Sequence, residues 1–132
     1  MSDPLIKKVD CLRLPVPDLD SGLAFYRDGL GHEVAWQTET SVGLRMPASD
    51  AEIVIYTDAT PQETDLLVDS ADEAAELIVS SGGRLIAGPF DIQIGRCAVL
   101  ADPFGNVLVV LDMSKGRLVT DESGRVIGNE RR

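Results

Sequence analysis

One pattern occurs twice in this chain, and it limits the fold more than any composition figure does. VPDLDSGLAFYRDGLG (residues 16–31) and VDSADEAAELIVSSGG (residues 68–83) each run from a strand end through a capping signal into a helix. Each closes on a glycine, Gly31 and Gly83, 52 positions apart. In the first copy Leu19, Leu23, Tyr26 and Leu30 recur at helical spacing, and Asp18 or Asp20 caps the start. In the second, Ser70 and Glu73 form a capping box, Ala71, Ala74, Ala75 and Ile78 make the apolar stripe, and Gly82-Gly83 stops the helix.

The flanking segments repeat as well. Lys8–Val16 reads as a strand before the first helix, and three strand-like runs follow it at 32–37, 41–46 and 52–57. After the loop DATPQE, 64–68 reads as a strand before the second helix, followed by runs at 84–92, 96–101 and 106–111. The chain is therefore β-α-β-β-β written twice, an α+β fold with module 1 at about 8–57 and module 2 at about 64–112. A sheet with one helix on one face needs cover for the other, and a second module can supply it. The expected form is a pair of U-shaped mixed sheets around a groove, the natural seat for a ligand. In the turn ADPFGN, Asp102 and Pro103 suit the first two positions, while Gly105 and Asn106 tolerate the left-handed exit. The tail, 113–132, is either a short hairpin, with RLVT and RVIG flanking DESG, or a frayed end.

Charge and composition narrow the partners. The 132 residues carry a formal charge of −10, which disfavours nucleic acid and anionic membrane and favours a cationic ligand. The apolar run at 107–111 is too short to span a bilayer, and MSDPLIKKVD lacks a signal-peptide core, so a cytoplasmic location is expected. Two cysteines, Cys11 and Cys97, make no disulfide framework and read as reduced thiols.

VPDLDSGLAFYRDGLGHEV and GRCAVLADPFGNVLVVLD, set in a duplicated frame, resemble the vicinal oxygen chelate superfamily of glyoxalases, extradiol dioxygenases and bleomycin-resistance proteins. The resemblance covers roughly residues 8–112. It implies one domain of that type over 1–112, paired βαβββ modules, frequent dimerisation, and in many members four metal ligands, one on each of four strands. Carried over by motif spacing, the first ligand position is Cys11, and the second falls near Val54–Tyr56, where Glu52 would need a slipped register. The third falls at about Glu63 and the fourth at Val109. Valine donates nothing to a cation, so no metal and no cofactor are expected. His32 lies outside the implied ligand set.

Strand alternation refines the candidate ligand-binding residues Cys11, Arg13, Trp36, Tyr56, Glu63 and Val109. If Cys11 faces the groove, so do Val9 and Arg13, while Leu12, Leu14 and Val16 face the helix. On the last strand Val107, Val109 and Leu111 face the groove. Arg13 either pairs a ligand anion or pairs Glu63 or Asp65. Trp36, placed on the parity of Val34, either stacks on a planar ligand or packs in a core or dimer contact; Tyr56 is equally open. Cys11 is a nucleophile or, more simply, an inert buried thiol. Met46 and Phe90 read as lining or core, and Arg45 and Arg96 as rim or surface charge.

The expected function is metal-independent binding of a small cationic or aromatic molecule, similar to drug or natural-product sequestration in antibiotic resistance, by a cytoplasmic homodimer. The alternative is a glyoxalase- or dioxygenase-like lyase, isomerase or oxidoreductase. It would use either a non-standard metal site or metal-free proton transfer by Arg13 and a carboxylate such as Glu63. A third class is a plain interaction module with a filled groove.

Overall fold

The structure, a computed structural model, describes residues 3–130; residues 1–2 and 131–132, which the sequence reading includes in the domain and tail, lie outside the described residues. The chain runs β1 (Lys8–Pro15), α1 (Leu19–Leu23) continuing as a π-helical turn (Ala24–Gly29), β2 (Val34–Gln37), β3 (Ser41–Met46) and β4 (Ser49–Tyr56). It goes on through β5 (Glu63–Leu67), α2 (Ala71–Ser80), β6 (Arg84–Ile92), β7 (Gly95–Ala101) and β8 (Val107–Leu111), then β9 (Arg117–Thr120) and β10 (Val126–Glu130). This is the strand-rich α+β architecture that the repeated pattern dictates. No helix among the described residues is long and apolar enough to cross a membrane.

Two compact units divide the chain. The first comprises Asp10–Thr64 with Leu118–Gly128. Its strands lie in the order β2-β3-β4-β1, with β1 parallel to β4 and the other neighbours antiparallel. Register pairs Cys11 with Glu52, Arg13 with Val54, and Leu14 with Ile55. Alternation therefore sends Leu14 and Ile55 to the helix side, where they pack with Val16, Leu19, Leu23, Tyr26, Val42 and Leu44. Cys11, Arg13, Glu52, Val54 and Tyr56 share the opposite face.

The second unit comprises residues 3–9, Asp65–Arg117 and 129–130. Its order, β6-β7-β8-β5 with β5 parallel to β8, reproduces the topology of the first. On its helix side Ala74, Ala75 and Ile78 of α2 pack on Val68, Ala98, Leu100 and Val110. On the other face Cys97, Val109 and Leu111 are buried, with Leu67, Ile92, Ile94 and Val99 against them.

Capping explains where the helices begin. The Asp18 carboxylate accepts the Ser21 backbone N–H at 2.7 Å and the Ser21 hydroxyl at 2.9 Å. Ser70 Oγ accepts the Glu73 N–H at 3.2 Å, the hydroxyl half of the expected box. A second acceptor arrives from the end of β8: buried Asp112 takes the Ala71 N–H at 2.8 Å. Its other oxygen accepts from Arg96 N at 2.9 Å, Ser114 N at 3.1 Å and Ser114 Oγ at 2.7 Å.

Three local expectations need correction. The first helix is not regular throughout, because Leu30 N–H donates to Phe25 O at 2.9 Å, a bond five residues back. That extra residue rotates Leu30 off the apolar stripe, and it is 56% exposed while Leu19, Leu23 and Tyr26 pack as expected. In β2 the register shifts between Val34, opposite Leu44, and Trp36, opposite Gly43. The bulge puts Val34 in the helix-side core and Trp36 on the other face, so the two do not share a parity. In the DPFGN turn Gly105 alone takes a positive φ, +92°, whereas Asn106 does not. Its side chain instead donates to Asp102 Oδ2 at 2.8 Å, while Asp102 Oδ1 accepts the N–H groups of Phe104 and Asn106.

β6, like β2 an outermost strand of its unit, carries its own register shifts, between Leu85 and Ala87 and between Ala87 and Phe90. The tail forms the hairpin β9–β10, closed by Asp121, whose carboxylate accepts from Ser123 N and Arg125 N. Gln37 N–H donates to Gly124 O at 2.6 Å, which joins the hairpin turn to β2.

Candidate ligand-binding site

Five of the six residues singled out from sequence lie in the first unit. Cys11, Arg13 and Tyr56 face away from the helix on β1 and β4, Trp36 joins them from β2, and Glu63 opens β5. Val109 belongs to the second unit. It is buried at 5% exposure, with Cys97, Leu111 and Val99 around it.

Arg13 is fixed from two sides. Its guanidinium lies 4.4 Å from the Tyr56 ring centroid, and Nη1 stands 3.6 Å from Glu63 Oε2. The stacking contributes about 0.5–1 kcal/mol, and the half-exposed ion pair about 0–1 kcal/mol. Tyr56 is 1% exposed, and its hydroxyl donates to the carbonyls of Thr60, at 2.9 Å, and Pro61, at 2.6 Å. The ring is thus a floor under Arg13 anchored to the loop before β5. Glu63, one of the two partners open to Arg13 in the sequence, stands at ion-pair distance.

Trp36 is held differently. Its indole Nε1 donates to Glu52 Oε1 at 2.7 Å, and the five-membered ring lies directly over Gly43. A Cβ on Gly43 would fall 2.1 Å from Nε1 and 2.3 Å from Cε2, so only glycine admits the ring there. Burial pushes the Glu52 carboxyl above the ordinary carboxylate range; the Trp36 bond opposes the rise, the Asp10 charge adds to it and Arg45 offsets it. Gly43 and the Trp36–Glu52 bond were not foreseen from sequence. The available signal was a lone glycine inside the strand pattern SVGLRM, which marks a close approach.

The remaining candidates disperse. Arg45 donates from Nη1 to Val34 O at 2.8 Å, and the His32 ring, protonated at Nδ1, donates to Arg45 O at 2.9 Å. Arg96 pairs with Asp72 at 3.2 Å and Asp91 at 3.4 Å in the second unit. Met46 is half-buried at the end of β3, and Phe90 is 41% exposed. Cys11 and Cys97 are buried thiols outside any disulfide.

The glyoxalase/bleomycin resistance protein/dioxygenase superfamily model matches residues 8–110, from the first residue of β1 to the penultimate residue of β8. The chain belongs to this superfamily. Within it, one 45-residue stretch is 49% identical to CFP32 of Mycobacterium bovis, which carries a provisional glyoxylase name. That match covers 33% of this chain and 17% of CFP32's length. Methylmalonyl-CoA epimerase from Mycobacterium tuberculosis shares the superfamily fold with a TM-score of 0.71 at 18% identity, covering 86% of this chain and 93% of that one. Homoprotocatechuate 2,3-dioxygenase from Brevibacterium fuscum does so with a TM-score of 0.64 at 23% identity, covering 83% of this chain and 37% of that one.

The superfamily resemblance implies a metal at four strand positions, and the residues there do not fit one. Val109 and Val54 offer only hydrocarbon, Glu63 is at ion-pair distance from Arg13, and Glu52 already accepts the Trp36 N–H. Among the described residues no three or more His, Cys, Asp or Glu side chains are grouped to hold a metal ion. A divalent ion needs several such donors converging at about 2.0–2.3 Å.

Proposed function

We propose that this superfamily member is a metal-independent small-molecule binding protein that sequesters a cationic or aromatic compound, such as a drug or natural product, as a cytoplasmic homodimer. The observation that carries the reading is the state of the polar groups on the β1–β4 face. Arg13 is engaged by Tyr56 and Glu63, and Glu52 by Trp36, leaving a pre-ordered aromatic and apolar wall in place of a set of converging ligands. Such a wall holds a ligand through its shape and stacking, with few polar contacts to orient it.

Trp36 is the only tryptophan, so its emission reports on this face alone. Fluorescence titration against a panel of polycyclic cations, paired with elemental analysis of protein purified without chelators, tests the reading. Saturable emission changes with substoichiometric metal are expected. One tightly held ion per chain would overturn it.

Glu52 favours a second reading, metal-free proton transfer, because burial behind the Trp36 N–H favours its protonated form. Turnover of a carbonyl compound that is lost in E52Q, with binding retained, would establish that chemistry instead.

A further inference from the structure

Trp36 occupies a position that regular strand alternation denies it. The β2 bulge at Ala35 turns it to the non-helical face, and the strand opposite supplies a buried Gly43 where a side chain would otherwise stand. Both features work against a regular ladder, since bulges interrupt pairing and glycine weakens strands. Departures of this kind from local regularity are expected where they serve a site. Their joint effect is geometric. The five-membered ring of the indole lies over Gly43 of β3, its N–H is tied to Glu52, and the residue is half-buried, so part of its surface stays exposed.

A carboxylate accepting the ring N–H adds electron density to the indole, and the face of an electron-rich ring attracts cations. The chain's charge of −10 draws cations toward it in the first place. We infer that Trp36, bedded on Gly43 and tethered by Glu52, is a preformed stacking plate for a flat, positively charged aromatic ring, and that Gly43 is the position that decides whether the plate exists. This rests on the small-molecule binding reading and narrows its ligand class.

The test uses the full chain and the planar tricyclic cation proflavine, read by calorimetry and by Trp36 emission. Tetrapropylammonium (charged, not flat) and caffeine (flat, uncharged) are comparators. Proflavine is expected to bind saturably and at least about ten-fold more tightly than either. G43A should weaken proflavine about ten-fold and shift the emission, because the added methyl lifts the ring. W36L, read by calorimetry, gives the same information if G43A does not fold. E52Q, which keeps an oxygen acceptor for the indole N–H but removes the charge, should lower the ratio of proflavine to caffeine affinity. Unchanged proflavine affinity in both G43A and W36L would overturn the plate. A wild-type chain that binds the anionic probe 8-anilinonaphthalene-1-sulfonate in one-to-one ratio but not proflavine would overturn it too, while leaving the broader binding reading intact. Binding of none of these probes would overturn both.

Discussion

Two carboxylates show how the same side-chain chemistry is tuned in opposite directions. For Asp112, burial resists ionisation and is the largest single influence, yet the donors from Ala71, Ser114 and Arg96 together outweigh it and hold the group below its ordinary 3.8. A carboxylate depressed in the native state contributes stability above its unfolded value, and that contribution is lost as pH falls through the native one. D112N should therefore lower stability at neutral pH by about 1–3 kcal/mol and flatten the acid limb below about pH 4, as followed by Tm against pH. Glu52 is raised, so its sign is reversed: its anion costs stability at neutral pH, and the cost is relieved as pH falls through the raised value. At Tyr56 the expected loss for Y56F is about 1–2 kcal/mol in urea unfolding, because two carbonyls lose their buried hydroxyl donor. The roles of these residues were only partly legible. Sequence put Cys11 and Arg13 on one face and left Tyr56 open between ligand contact and packing; Tyr56 packs on its own chain as a floor, an outcome set by the DATPQE loop and invisible to alternation.

Strands and helices were legible wherever periodicity stayed regular. β3 and β6 begin and end at the residues the apolar runs mark, and the capping signals at Asp18 and Ser70 sit at the true helix starts. Periodicity fails where one residue is inserted, as in the π-helical turn that exposes Leu30 and the bulge that separates Val34 from Trp36. Neither insertion has a composition signature, because the residue beside each, Ala24 and Ala35, suits regular structure as well. Deleting Ala35 is the sharpest check on the bulge. Val34 and Trp36 then become consecutive, so plain alternation is expected to keep them on opposite faces, with Trp36 still over Gly43 and its emission maximum unmoved; a blue shift would place the ring in the helix-side core instead.

Across the whole molecule, the duplicated pattern proved the most informative feature of the sequence, because equal order of elements produced equal strand order in both units. It could not reveal chemistry, which depends on single positions. Val109 illustrates this, since it sits where the resemblance implies a ligand and is instead packed among Cys97, Val99 and Leu111. Restoring a carboxylate there with V109E is expected to cost at least about 3 kcal/mol, measured by denaturant titration, without raising the metal content of the purified protein. A stable V109E that gains stoichiometric ion would mean the remaining donors are better arranged than the present geometry indicates.

The irregular residues of the two units fall in matching places, since β2 and β6 are both the first strand after a helix and both lie outermost in their own sheets. Residue-for-residue comparison of the halves therefore drifts out of phase in these outer strands, and the β3–β4 pair adds a shift of its own between Arg45 and Met46. Any reconstruction of the ancestral single-copy sequence must place its gaps there, and a gap-free alignment would assign Trp36 an ancestor from the wrong side of the sheet.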